Sequence, residues 1–519
     1  MKKRVFVKNA AVLTVTAIIL RTAGMLLRIY LSQTIGAEGM GLYQLIISIY
    51  MLASTFASSG LSTAVTRLVT DELVCGDRRS VRRVLRRAIE LTLIIGAAIT
   101  ALIYFFADFI AVYWIKDIRA VPALKILSFS LCFMGVSSCI KGYFMARRRA
   151  AMPSSAQIFE QTVRIVSVVL LIGRFGGDIT RACFAILLAD TIAESCSCIY
   201  LFICYLIDRR RVQIAANKKD TGHITARLIK ISAPIVAGKY LNSILRTIEN
   251  LAVPDCLNKY GGSKEAALEQ FGELKGMALP IIFFPSSFLM SMSTLLIPEM
   301  SEARALGDNR SIRSQVSRAV GITVQMSVLI SAFFMLLSNQ IGVLVYKSEN
   351  VGFLIKVLSP LIPAMYLESV CDGMLKGLNQ QNHSLMYSAI DSCLRIAFIL
   401  VLVPKYGMAG FLFMMILSNL FTSSMNVGRL LKISKARFDV KNWLLKPILF
   451  IIIGGAVSYG VLGRFEYNML VYCLLTVLIV TPIYCALMMI TKSCQPVNEL
   501  LQKMNERRAK NRQKGGRKI

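Results

Sequence analysis

Residues 10–31 read AAVLTVTAIILRTAGMLLRIYL, and residues 231–253 read ISAPIVAGKYLNSILRTIENLAV. Each is an apolar run of about 20 residues, long enough for a helix to cross a hydrocarbon core about 30 Å thick. Each is interrupted by two bases seven positions apart, Arg21 and Arg28 in the first and Lys239 and Arg246 in the second. Seven residues make nearly two helical turns, so the charges of a pair share one helix face about 10 Å apart. A base at the bilayer centre costs about 2.5–3.5 kcal/mol on insertion scales. Such pairs call for a wet cavity, an acidic partner or an anionic ligand.

Runs of this kind recur along nearly all of the 519 residues, of which 55% are hydrophobic and only 17% charged. That composition excludes an ordinary soluble globular protein. The pattern predicts an all-α polytopic membrane protein with fourteen transmembrane helices. They fall near 9–33, 41–66, 88–113, 121–146, 154–173, 182–206, 231–253, 276–300, 319–345, 353–375, 385–403, 408–428, 447–463 and 467–491. The prefix MKKRVFVKNAAVLTVTAIIL imitates a signal peptide, but Arg21 closes its apolar stretch and no small-residue cleavage site follows. It reads as a retained first helix. The net charge of +31 is distributed as in a membrane protein, not a nucleic-acid binder: even-numbered loops and both tails hold 41 of the 60 Lys and Arg. Basic residues concentrate on the cytoplasmic side, which predicts a multi-pass membrane protein with both termini in the cytoplasm. The basic tail is expected to be solvated and to touch anionic lipid headgroups.

Thirteen cysteines are scattered, mostly inside spans, and His223 and His383 lie in loops without metal-ligand spacing. Neither a disulfide framework nor a metal site is expected. There is no GxxxxGK[ST] phosphate loop, no HExxH and no nucleophile elbow. No loop is long enough to host a soluble active site. The chain is read as a non-enzyme without cofactors.

An internal duplication organises the spans. STAVTRLVTDELVCGDRRSVRRVLRRA at 62–88 aligns without gaps to STLLIPEMSEARALGDNRSIRSQVSRA at 293–319, an offset of 231 residues with nine identities. The offset returns where GYFMARRRAAMPSSAQIFEQTVRI at 142–165 meets GMLKGLNQQNHSLMYSAIDSCLRI at 373–396, pairing Glu160 with Asp391 and Arg164 with Arg395. Upstream the offset is 218, and there Arg21 meets Lys239 and Arg28 meets Arg246. The expected organisation is a six-helix lobe at 1–207, a cytoplasmic linker at 208–230, a second six-helix lobe at 231–430, two added helices at 431–491 and a basic tail at 492–519. Two lobes with an even number of spans each are parallel repeats, an arrangement found in alternating-access transporters.

The four bases are candidates for gripping phosphate, for which the planar fork of Arg is suited. Glu160 with Arg164, and Asp391 with Arg395, are acid-to-base i,i+4 pairs that favour the helix and are candidates for coupling or gating. Asp190 and Glu194 share a helix face without an obvious partner, as do Glu368 and Asp372, although Lys376 lies one turn beyond Asp372. Buried carboxylates take up protons readily, so these four are candidates for proton or cation coupling. Pairing with the intramembrane bases is the alternative. Lys125, Lys141 and Lys356 sit near span ends, from which long side chains snorkel.

RTAGMLLRIYLSQTIGAEGMGLYQLI at 21–46, STAVTRLVTDELVCGD at 62–77 and MPSSAQIFEQTVRI at 152–165 resemble the stage V sporulation protein B family of polysaccharide-biosynthesis membrane proteins. That family belongs to the multidrug/oligosaccharidyl-lipid/polysaccharide exporter superfamily, with the MurJ-type lipid II flippases. The resemblance implies a V-shaped fourteen-helix fold that moves lipid-linked glycan precursors to the outer leaflet. It also implies that first-helix arginines and a basic residue of the seventh or eighth helix contact the pyrophosphate. Arg21 and Gly24 match the first-helix motif, and Arg28 falls one residue later than the second arginine of that pattern. The resemblance further implies a lipid-tail groove on the last two helices. MurJ-type flippases carry a second-helix arginine, whereas MLASTFASSG at 51–60 has no charge. The implied substrate is therefore a related polyprenyl-pyrophosphate glycan more than lipid II itself.

Three functions compete at this point. The first is a flippase for lipid-linked oligosaccharide or for peptidoglycan and spore-cortex precursors, with membrane lipids and envelope-synthesis enzymes as partners and no nucleic acid. The second is a cation-coupled multidrug exporter, which favours acids and aromatics where this chain has bases. The third is a non-transporting membrane scaffold, which leaves the matched base pairs unexplained.

Overall fold

A computed structural model describes residues 2–58, 60–74, 78–175, 178–210, 224–463, 468–491 and 493. Among them every regular element is helical. The chain divides into two compact units, one comprising Met1–Met277 and Ser392–Met414, the other Ala278–Asp391 and Met415–Ile519. The basic linker and tail expected at 208–230 and 492–519 lie largely outside the described residues.

The first unit runs through α1 (Lys2–Ser58), α2 (Leu61–Val74), α3 (Arg78–Phe105), α4 (Ala107–Phe109), α5 (Val121–Ser128), α6 (Ser130–Ala146), α7 (Ala151–Phe175), α8 (Ile179–Arg210), α9 (Ile224–Gly261) and α10 (Lys264–Phe271). A π-helical turn, Gly272–Ala278, follows α10. The second unit holds α11 (Leu279–Phe283), α12 (Ser286–Ala305), α13 (Asn309–Leu336), α14 (Ser338–Tyr346), α15 (Glu349–Leu358), α16 (Ile362–Gly377), α18 (Lys446–Leu462) and α19 (Met469–Ile490). Between α16 and α18 runs α17 (Gln381–Ser434).

Ten helical stretches among the described residues are long and apolar enough to cross a membrane, or eleven if the bent pair Lys264–Phe283 and Ser286–Ala305 is one span. The expected fourteen are not reached by this measure. One reason is that two stretches, Val12–Leu73 and Gln381–Ser434, each cover two expected spans. Where loops were expected near 34–40 and 404–407, the helix instead continues across a single left-handed glycine, Gly36 (φ 70°) in α1 and Gly407 (φ 56°) in α17. A residue without Cβ reaches that φ at no steric cost, so one position redirects the chain without a loop. The expected second span, 41–66, is likewise interrupted: α1 ends at Ser58 and α2 starts at Leu61. α9 is absent from the apolar set because Lys239, Arg246, Glu249 and neighbouring polar residues interrupt it.

Starts of the shorter helices follow side-chain capping. Ser263, Asp308 and Ser348 each accept a hydrogen bond from a backbone N–H of the first turn of α10, α13 and α15, satisfying one of the donors a helix start leaves unpaired. In the first unit, Leu68 of α2, Leu85 of α3, Ile140 and Phe144 of α6 and Leu201 of α8 form one buried core.

The 231-residue duplication is visible in backbone detail inside each unit. Lys116 and Lys347 both take the left-handed conformation (φ 59° and 55°), and so do Arg148 and Asn379 (both 58°). The Thr100 hydroxyl donates to the Ser128 carbonyl at 2.8 Å, and its counterpart Ser331 donates to Ser359 at 2.6 Å. The amides of Arg149 and Gln380 close equivalent bonds to Phe144 and Leu375. A non-glycine residue at positive φ is uncommon. Two such pairs at one spacing mark repeated folding units.

Candidate functional site

The four predicted phosphate-binding bases all belong to the first unit, and all four side chains are exposed. Arg21 and Arg28 lie on the part of α1 before Gly36, while Lys239 and Arg246 lie on α9. α9 packs along the later half of α1. The Tyr240 ring is 4.1 Å from that of Phe56, and the Tyr240 hydroxyl donates to the Phe56 carbonyl at 3.3 Å. Ser243 donates to Thr55 at 3.3 Å, Thr247 to the Ser48 carbonyl at 3.3 Å, and Asn250 to the Ser48 hydroxyl at 3.0 Å. The seam therefore uses positions 240, 243, 247 and 250. Lys239 and Arg246 each precede a seam residue by one position, about 100° around the helix, and flank the seam on one side. Among the described residues, Arg28, Lys239 and Arg246 form no ion pair within 4.0 Å, so their charges remain available to an anion.

The predicted coupling residues of the first unit come together. The Arg164 guanidinium of α7 lies 2.9 Å from Glu160 and 2.7 Å from Asp190 of α8, and it donates to Gln161 at 2.8 Å. Lys141 of α6 lies 3.8 Å from Glu160, turned inward where snorkelling was expected. Asp190, which shows no partner in the sequence, has one in Arg164. Glu194 joins the group one turn along α8. Reaching Asp190 and Glu160 with one guanidinium suits Arg, whose planar fork offers five donors.

The second duplicated pair is arranged differently. Arg395 donates to Glu249 of α9 at 2.6 Å, and Lys275 of the π-helical turn lies 3.3 Å from the same carboxylate. Glu249 is almost fully buried, with 4% of its side chain exposed. Asp391 accepts from the Ser418 hydroxyl at 2.6 Å. On α16, Asp372 pairs with Lys376 at 2.5 Å and accepts a hydrogen bond from Ser384. Glu368, on the same helix, is half-buried. Glu249 and Lys275 were not singled out in the sequence, although an isolated acid three residues after Arg246 in an apolar span is a signal.

A further charge network in the first unit was also not anticipated. Asp117 binds Arg119 through both its oxygens, Arg119 reaches Glu38 at 2.8 Å, and Lys264 lies 3.4 Å from Asp117. Beside it, Asp255 bridges Lys116 at 2.5 Å and Lys259 at 3.3 Å. Burial opposes ionisation of Asp117, but hydrogen bonds and charge from Arg119 outweigh it and hold the carboxyl below its ordinary range. The same balance, with Lys116 and Lys259 as the stabilising groups, lowers Asp255. The short segment around 116–119, the break in α1, the end of α9 and the start of α10 are tied together here.

Among the described residues no group of three or more His, Cys, Asp or Glu is placed to hold a metal ion. The fold and the charges on its helices are those of a polytopic membrane transporter. Residues 6–304 match the polysaccharide biosynthesis protein family, and the chain belongs to it. It is 24% identical over 463 residues to stage V sporulation protein B of Bacillus subtilis, covering 88% of this chain and 89% of that one. It is 20% identical over 482 residues to lipid II flippase MurJ of Bacillus subtilis, covering 88% and 87%. Among solved structures it is similar to lipid II flippase MurJ in an inward closed conformation, with TM-score 0.71, 15% identity and coverage of 92% and 98%. It is also similar to an inward-facing multidrug resistance MATE family transporter of the MOP superfamily, with TM-score 0.64, 16% identity and coverage of 82% and 96%. MurJ is a flippase and the MATE protein a transporter, and the chain is classed with such membrane proteins, not with enzymes.

Proposed function

We propose that the protein flips a lipid-linked, polyprenyl-pyrophosphate glycan across the bacterial plasma membrane by alternating access, serving oligosaccharide, peptidoglycan or spore-cortex synthesis. One observation supports this reading: bases seven residues apart on α1 and α9, with exposed side chains and no ion pair for Arg28, Lys239 or Arg246 among the described residues. Uncompensated bases in apolar helices are costly, and a pyrophosphate supplies the opposite charge. Arg21, Arg28, Lys239 and Arg246 hold the pyrophosphate, the sugar occupies a hydrated path, and the polyprenyl chain stays in lipid. No bond is made or broken, since the task is to lower the barrier to moving a charged headgroup through hydrocarbon.

In this reading the lobes at 1–207 and 231–430 alternate access, residues 431–491 add two further helices, and both termini are in the cytoplasm. The charge pairs at Glu160–Arg164 and at Asp391 and Arg395 serve gating, while coupling falls to carboxylates among Asp190, Glu194, Glu368 and Asp372. Membrane lipids are the obligatory surroundings, and envelope-synthesis enzymes are the partners that would supply and consume the glycan.

The test is translocation of a lipid-linked glycan in cells carrying Arg28→Ala or Arg246→Ala at matched expression. Each substitution is expected to lower flipping at least tenfold, the effect of about 1.4 kcal/mol. Normal flipping in both variants overturns the phosphate grip, and loss of drug resistance in place of flipping turns the reading to multidrug export.

A further inference from the structure

We infer that Glu194 is a proton-binding carboxylate, the one acid left over in a half-buried cluster of three acids and two bases. The bases are committed elsewhere. Arg164 holds both Asp190 and Glu160, and Lys141 lies against Glu160. Glu194 receives neither, and its Oε2 is buried without a hydrogen-bond partner.

The cations that act on Glu194 itself are Lys141 and Arg164, both committed to other acids. α1 contributes Tyr50, whose hydroxyl is engaged with Ser130 and the Met134 sulfur, while Tyr43 lies beside Asp190 and Arg164 and within electrostatic reach of Arg28, which forms no ion pair with the cluster. α6 and α7 contribute Lys141, Glu160 and Arg164, and α8 itself adds Asp190 and the Cys198 thiol. With all three acids ionised these five groups carry one net negative charge, and the buried Oε2 of an ionised Glu194 would stand without a partner, which is unfavourable. One proton removes that charge. Bound to Glu160 or Asp190 it would displace a salt bridge; bound to Glu194 it displaces none and turns an orphaned acceptor into an O–H donor. A metal ion is disfavoured because the Arg164 and Lys141 cations already border the cluster. The proton comes from water and returns to water, so only an O–H bond forms and breaks.

The duplication separates this feature from shared architecture. At the 231-residue offset Glu160 and Arg164 recur as Asp391 and Arg395, but Asp190 and Glu194 meet Phe421 and Met425. The surplus acid belongs to the first repeat alone. Its use in coupling rests on the transport function proposed above, whereas proton binding does not.

Infrared titration of purified, detergent-solubilised protein reads protonated carboxyl groups directly. The expected result is a protonated-carboxyl band in the wild type that fades as pH rises. It is absent in Glu194→Gln and retained in Glu368→Gln and Asp372→Asn. Glutamine has the shape of the protonated acid, so Glu194→Gln is expected to fold with wild-type thermal stability. A band that survives in Glu194→Gln, a wild type without a titrating band, or a Glu194→Gln protein that fails to fold each overturns the inference. Normal glycan flipping in Arg28→Ala and Arg246→Ala would instead overturn the transport reading and leave the proton site standing.

Discussion

Glu249 and Arg246 lie three positions apart on α9 and present opposite situations. Glu249 is buried and offsets two bases, Lys275 and Arg395. Arg246 is exposed and forms no ion pair among the described residues. Removing one partner of a buried charged group leaves the others uncompensated, at about 3–5 kcal/mol. Glu249→Ala is therefore expected to lower the unfolding temperature of purified protein clearly, and Arg246→Ala to leave it within about 0.5 kcal/mol of wild type, as for exposed substitutions. Equal unfolding temperatures for Glu249→Ala and wild type would remove Glu249 from its structural role. A base whose loss abolishes transport without lowering stability is a substrate-binding base. The sequence pointed to Arg246 because a charge in an apolar run stands out locally. It passed over Lys275 because that residue was assigned to a loop.

At the scale of elements, the approach of α1 and α10 depends on residues without side chains. A Cβ built on Gly272 would lie 1.9 Å from the Ala37 carbonyl oxygen, and one on Gly41 would lie 2.1 Å from that of Leu268. Within a bilayer, helix association draws on close van der Waals packing because lipid is as apolar as the helix surface, and small residues permit that packing. Gly272→Val is expected to cost about 1–3 kcal/mol, the usual range for overpacking, measured as reduced thermal stability and a lower yield of monodisperse protein. Wild-type stability would show that α10 can retreat from α1 without loss. Helix positions were largely legible in the sequence because hydropathy is a local property of each 20-residue window. The breaks at Gly36 and Gly407 were read as loops, since a helix redirected at one glycine and two helices joined by a short loop have nearly the same composition.

For the whole molecule, the network at Glu38, Lys116, Asp117, Arg119, Asp255, Lys259 and Lys264 ties four separated segments of the first unit. Asp117 and Asp255 have lowered proton affinity in the folded protein. The stability they add is present in full above the ordinary aspartate pKa of about 3.9, and is lost as pH falls through their lower folded values. Through these two groups, unfolding temperature is expected not to vary with pH near neutrality and to drop on strong acidification. Asp117→Asn with Asp255→Asn should remove part of that drop while lowering stability at neutral pH. An unchanged acid profile in the double variant would show that the network contributes nothing to folding.

The sequence by itself determined that this is a helical membrane protein, where most of its spans lie, that it is internally duplicated, and to which family it belongs. Each of these rests on hydropathy, charge distribution or pattern, properties carried by contiguous residues or by a fixed spacing. Only the tertiary structure decided which charges meet. Arg395 reaches Glu249 across 146 positions and Lys116 reaches Asp255 across 139, while Glu194, one turn from Asp190, meets neither base of its cluster. An ion pair forms only within about 4 Å, a tolerance smaller than the width of one helix. Which acid is satisfied and which is left over is therefore set by helix packing, and no reading of spacing along the chain reaches that precision.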